Sequence, residues 1–420
     1  MRRRVNDTPL VLHTVEAPGL TPEDLLGLPG DEPAVFFADD HGASAWRGAA
    51  RRLRAPDLPA LAARVRDAWQ GLAAATPPRA FVVAPFARDP RHEGDPAWRD
   101  AHDAQWVLPR LTLTRTADGT AAQWWLPAGE TPPPLPRAAS RASTGARAAL
   151  DDAPERRARW SSLIRDALDE MRAGRVAKLV GARRESLRRE GGWHLDDLVR
   201  HLAPLHAPGS ARFAFHAGGT SFVGLTPETL LRRRGDQLRT EALAGSLARD
   251  PAHDARDRDA LRRSEKDLRE HALVAEMILR TLAPWCAQID APATPEVRSL
   301  RALHHLCTPI TATLRPDAPD ALTLAAALHP TPAVAGMPVD PAVRWIVDHE
   351  DAPRGWYAGA LGWCDAAGDG RLVVALRAAV LRGERAWTYA GAGLVPGSDP
   401  DREWDETAVK MAMMREALGA

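Results

Sequence analysis

The chain has 420 residues, 45% of them in the hydrophobic set and 26% charged, which predicts two or three domains or one large α/β unit. That is enough chain to bury a core without disulfides or a structural metal. Lys plus Arg and Asp plus Glu each number 55, so the formal net charge is zero. No basic excess exists to neutralise a phosphate backbone, which speaks against nucleic acid.

Residues 1 to about 125 carry short apolar runs, PAVFFA and RAFVVAPFA, that read as strands. LPALAARVRDAWQGLAAA (58–75) reads as a helix between them. DPRHEGDPAWRDAHD (89–103) holds two histidines and several acids, but their spacing fits no metal-ligand pattern, and a solvated loop is expected. The Pro-rich stretch PAGETPPPLPRAASRAS (127–143) can continue neither a helix nor a central strand and reads as a linker. It separates 1–155 from 156–420. Beyond it, Trp160, Leu163, Ile164, Ala167, Leu168 and Met171 share one helix face. RVAKLVGAR (175–183), ARFAFH (211–216), TSFVGL (220–225), RLVVALRAAVL (371–381) and RAWTYAG (385–391) predict strands. Helices are predicted over 257–282 and 400–418. This irregular order argues for an α/β (α+β) layered architecture and against a repeated βαβ barrel.

MRRRVNDTPLVLH lacks the apolar stretch of a secretory signal, and no run approaches the ~18 apolar residues that cross a bilayer. Cys286, Cys307 and Cys364 form no CxxC. A cytoplasmic protein without membrane attachment is expected.

The carboxylates of two helices carry the chemistry. In SEKDLREHALVAEMILRTL, Asp267 and Glu270 share a face with His271, Val274, Met277, Ile278 and Thr281. In the last helix Glu403, Glu406 and Lys410 lead into Met413, Met414 and Ala417. A carboxylate on a core-facing stripe is costly unless paired, hydrogen-bonded or on a metal. Two such pairs can meet around a hard cation, Mg²⁺ being the natural one. They can equally be acids complementing helix dipoles, with Glu406 and Lys410 an i,i+4 pair. Lys178, flanked by Val176 and Val180, reads as a partly desolvated base or as an edge-strand gatekeeper. Arg377, alone among apolar neighbours, can grip a carboxylate or pair with an internal acid. The turns AGAGLVPGSDP, with Gly391, Gly393 and Gly397, and EALAGS, with Gly245 and Ser246, let backbone N–H groups approach an anion or are simply tight loops.

FVGLTPETLL, EALAGS, SEKDLREH, LHHLCTPI, LHPTPAVAG, RGWYAGALGW, VALRAA and AGAGLVPGSDPDREWDETAVK together resemble the chorismate-utilising enzymes, in order, from about 156 to 420. The resemblance implies a large two-sheet sandwich with outer helices, in which 1–155 completes the sheets and 156–420 forms the chorismate-binding catalytic region. Ammonia-using members typically lack the lysine of KLVGAR, so Lys178 implies water as nucleophile, no glutaminase subunit and a monomer. TPE stands where SPE is more usual, and Gly181 where a bulkier residue is common.

The implied reaction is isomerisation of chorismate to isochorismate, feeding siderophore or menaquinone biosynthesis. The alternative is salicylate synthesis, which adds pyruvate elimination. By the same resemblance Lys178, with a lowered pKa, is the base, and Glu228, with a raised pKa, is the acid; read alone, TPE could equally open a helix. Mg²⁺ would be held by Glu270 and Glu406 with Asp267 and Glu403 behind them. Arg377 and the Gly391 region would hold the enolpyruvyl carboxylate. Gly245, Ser246, His305, Ala333, Gly393 and Lys410 would complete the pocket.

Overall fold

The short aromatic and β-branched runs become strands in the computed structural model, which describes residues 9–73, 77–99, 101–116, 119–136, 147–151 and 154–420. These build one sheet of thirteen strands and one of ten, giving the expected α/β (α+β) two-sheet sandwich. Pairing is antiparallel except between Leu10–Glu16 and Leu72–Ala73. Early and late strands interleave in both sheets. Ala34–Asp39 pairs with Ala211–Ala217 in the first, and Arg79–Val83 with Ala360–Asp365 in the second.

Aromatic residues from the two inner faces meet in the core. Phe81 of the second sheet lies 5.3 Å from Phe215 and 6.2 Å from Trp46 of the first. Trp98 joins this cluster edge-on to Phe222 and Trp356, and its indole N–H donates to the Tyr389 hydroxyl at 2.8 Å. The segment 89–103 is therefore not the solvated loop expected. One tryptophan, with ~150–250 Å² to bury, outweighs the acids around it. Those acids find partners instead: Asp95 pairs with Arg184 at 2.7 Å. His92 is buried, which pulls its pKa down to about 4, and its neutral ring accepts the Gly355 N–H at 3.1 Å.

Three other expectations need correction. The helix predicted over 58–75 stops at Ala68. The stretch 257–282 is two helices, Asp254–Arg263 and Glu265–Leu282, because Ser264 takes an extended conformation and caps the second through the Asp267 N–H. The run 371–381 is two strands on different sheets, Gly370–Val374 and Ala378–Arg382. Of the Pro-rich stretch, residues 137–143 lie outside the described residues. All three cysteines are buried and unbonded. Among the described residues no helix is long and apolar enough to cross a membrane.

Candidate active site

The chain crosses between the sheets twice at one place. Thr220–Thr226 in the first sheet passes through Pro227 and Glu228 into Thr229–Arg234 in the second. Gly370–Val374 in the second passes through Ala375–Arg377 into Ala378–Arg382 in the first. The crossings are laced together: Thr226 Oγ1 donates to the Val374 carbonyl at 2.6 Å, Val374 N–H to the Glu228 carbonyl at 3.0 Å, and Leu225 N–H to the Arg377 carbonyl at 3.2 Å. Arg377 has φ +49°, a left-handed conformation a side-chain-bearing residue rarely adopts and one concentrated at functional sites. Arg377 is thus at a break between strands and not inside one, as the apolar run had suggested. Glu228 likewise opens no helix.

A pocket lies against these crossings. Its wall includes Glu228, Gly245, Ser246, Glu270, His305, Ala333, Arg377, Gly391, Gly393, Glu406 and Lys410, all foreseen from the sequence. Asp267, Glu403 and Lys178 are set behind this wall. Val180, Arg354, Tyr357 and Tyr389 also line it and were not foreseen. Arg354 is buried, forks onto Glu350, and donates to the Val180 and Val334 carbonyls at 2.7 Å. Only the RGWYAGALGW segment could have signalled Arg354 and Tyr357.

Lys178 is 0% exposed on an interior strand, Lys178–Arg188, with neighbours on both sides, which rules out the gatekeeper reading. Its amine lies 3.0 Å from Glu270 Oε1. Burial works against ionised Glu270, yet the charges of Lys178, Lys410 and Lys266 hold its carboxyl below the ordinary value. Glu403 pairs with Lys266 at 3.0 Å and Glu406 with Lys410 at 2.6 Å, while Asp267 accepts from the Ser264 hydroxyl. Burial raises the carboxyls of Asp267 and Glu403, and the negative charges of Glu270 and Glu406 add to this at Asp267, that of Glu406 at Glu403. The four carboxylates therefore form one electrostatic cluster, an all-oxygen set of the type hard divalent cations take. Among the described residues no three such groups converge at ligating distance, each carboxylate being turned to a lysine or a serine. In the last helix the buried line runs Glu403, Thr407, Met411, Met414 and Leu418, leaving Glu406 and Lys410 at its edge beside the pocket.

Opposite charge logic holds at Glu228. Burial, aided by Glu241, pushes its carboxyl up to about 8 against the pull of Lys178, Lys410 and Arg377. It is a protonated acid at neutral pH. Next to it runs a polar chain. Arg377 Nη2 lies 3.3 Å from His305 Nε2, and His305 Nδ1 lies 2.9 Å from Ser246 Oγ. A guanidinium only donates, so Nε2 is the acceptor and Nδ1 carries the hydrogen given to Ser246. Burial and the positive charge of Arg377 hold the His305 pKa well below its usual value, keeping that ring neutral.

A two-sheet sandwich with a buried acid, an internal lysine and a carboxylate cluster around one pocket defines a class, and the chain belongs to the chorismate-binding enzyme family, whose model matches residues 60–419. It is 37% identical over 381 residues to the salicylate biosynthesis isochorismate synthase of Pseudomonas aeruginosa, spanning 85% of this chain and 79% of that one. It is 38% identical over 267 residues to the isochorismate synthase DhbC of Bacillus subtilis, 61% of this chain and 66% of that one. Its fold matches the menaquinone-specific isochorismate synthase of Escherichia coli with a TM-score of 0.77 at 25% identity, covering 98% and 96% of the two chains. These relatives are isomerases, and this chain is an enzyme of their family.

Proposed function

We propose that the protein converts chorismate to isochorismate by adding water at C2 and expelling the C4 hydroxyl. Lys178, acting in its neutral form, takes a proton from the attacking water and so becomes the charged partner of Glu270. Glu228 gives its proton to the departing C4 oxygen, which leaves as water, so the atoms balance and the double bonds shift without oxidation or reduction. A general acid is most effective when its pKa lies near the working pH, and Glu228 at about 8 meets that condition. Arg377, its guanidinium held by His305, which Ser246 holds in turn, grips the enolpyruvyl carboxylate together with backbone N–H groups near Gly391. Gly245, Ala333, Gly393 and Lys410 shape the remaining wall.

Mg²⁺ fits the carboxylate cluster by donor chemistry. Glu270 and Glu406 would hold it, with Asp267 and Glu403 behind, and it would supply the counter-charge the ring carboxylate needs beside them.

The observation that carries this reading is a buried Glu228 in the pocket wall, with the fully interior Lys178 behind that wall and paired with its lining residue Glu270. Incubation with chorismate and Mg²⁺ tests it. Isochorismate should accumulate without an amine donor and without stoichiometric pyruvate. Salicylate and pyruvate at the rate of chorismate loss would reassign the protein to salicylate synthesis, and an amine-dependent product would reassign it to the ammonia users.

A further inference from the structure

A second cleft of about 410 Å³ opens between the sheets, and none of its lining residues belongs to the first pocket. Pockets of this size are typical of small-molecule sites. Its chemistry is set by register on the second sheet. Arg232 stands directly opposite Arg239 on one neighbouring strand and directly opposite Arg371 on the other, so three arginines form one row across three strands. Like charges facing each other across a sheet repel. Among the described residues, Asp39 is the one carboxylate within ion-pair distance of the row, bound to Arg371 at 2.5 Å. The other acids of the cleft are engaged by the backbone: Asp365 accepts the N–H groups of Ala367 and Asp369, and Asp369 accepts that of Gly235. Arg371 is 5% exposed; its Nη2 donates to the Gly209 carbonyl at 3.2 Å, while its Nε has no hydrogen-bond partner among the described residues. Arg232 points onto the His41 ring nitrogen, and burial and the charge of Arg371 both act against its protonated form. Arg371 in turn faces Trp363, over whose ring the exposed Arg79 lies at 4.2 Å. The row is a concentration of positive charge under-neutralised by protein.

We propose that this cleft binds a small multivalent anion, bearing phosphate or carboxylate groups, on Arg232 and Arg371 with Arg79 at its rim. Guanidinium forks match both kinds of oxyanion, and a bound anion would relieve the repulsion along the row.

Titration calorimetry on the full, metal-free chain with inorganic pyrophosphate and with citrate tests this and separates the two anion chemistries. At least one should bind with one-to-one stoichiometry and raise the melting temperature. Arg232→Gln and, independently, Arg79→Gln should weaken binding by ~10-fold or more, the loss expected for a charge-assisted contact. Arg377→Gln, in the other pocket, should leave binding unchanged. Without anion, Arg232→Gln should melt at or above the wild-type temperature, since a repulsion is removed. The proposal is overturned if neither anion binds, if binding survives both Arg232→Gln and Arg79→Gln, if Arg377→Gln abolishes it, or if Arg232→Gln melts well below wild type, which would make the row structural.

Discussion

The Glu270 carboxylate occupies the space that a side chain at Gly393 would fill: any β-carbon there would overlap Glu270 Oε1. The same oxygen is the one paired with Lys178, and Gly393 is the strand partner of Val180, so the glycine sets how closely helix Glu265–Leu282 can bring its carboxylate to the sheet. Gly393→Ala should push Glu270 aside and lower kcat by ~10² or more, the effect of misplacing a reacting or binding group by about 1 Å. The strand pairing does not depend on this glycine, so circular dichroism should be unchanged. Turnover near wild type would show that Glu270 is not needed where it stands.

The Glu228 carboxyl predicts a pH dependence with a definite sign. A general acid must be protonated, so kcat should fall as pH rises through about 8. Glu228→Gln keeps the shape but has no acidic proton; kcat should drop by ~10²–10⁴ and the alkaline limb should vanish. Stability should follow the same group. Its folded pKa of about 8 exceeds the ordinary carboxylate value, so the folded state holds the extra proton and wild-type stability should decline between pH ~4.5 and ~8. In Glu228→Gln that decline should be reduced. A kcat profile identical in the two proteins would remove Glu228 from the chemistry.

Lys178→Ala should reduce kcat by ~10²–10⁴ while chorismate Kd changes little, because Arg377 is untouched. It also strands the buried Glu270 charge, so the melting temperature should fall. The combination separates base from brace. A purely structural lysine would lower the melt and leave kcat within a few-fold at temperatures where the variant is folded.

Much of this site was legible because its residues sit in regular elements. The stripe Asp267, Glu270, His271 and Val274 follows from helical spacing, whereas the cap at Ser264 was overlooked and 257–282 was read as one helix. Arg377 was found but its place was misread. Nothing in RLVVALRAAV marks the point where the strand leaves one sheet for the other, since the apolar pattern continues through it and the break lies in the backbone. Trp98 pulls a polar-looking segment into the core for a similar reason, as its partners Phe222, Trp356 and Tyr389 come from more than a hundred residues away. Arg354 escaped notice because, besides Glu350, its partners are the carbonyls of Val180 and Val334, backbone atoms that leave no trace in residue type.

Metal dependence is checked by chelation. EDTA should abolish turnover and Mg²⁺ should restore it. Glu270→Ala and Glu406→Ala should both lose calorimetric Mg²⁺ binding, but their melts should differ. Glu270→Ala leaves buried Lys178 unpaired and should melt lower, whereas Glu406→Ala removes a more exposed charge from a repelling cluster and should melt near wild type. Full activity in metal-free protein would sink the assignment of the cluster as a cation site.

The chain Ser246–His305–Arg377 should act on substrate binding. His305→Ala removes the acceptor that fixes the Arg377 guanidinium, and KM for chorismate should rise more than kcat falls. Steady-state kinetics on this variant read the split directly, and an unchanged KM would detach His305 from substrate positioning.

Turnover in H₂¹⁸O with Mg²⁺ tests the central claim most directly. If Lys178 activates water and Glu228 expels the C4 oxygen, mass spectrometry should find one ¹⁸O in each isochorismate, at C2, and none in recovered chorismate at early times. Isochorismate free of ¹⁸O, or a product other than isochorismate, would contradict the account.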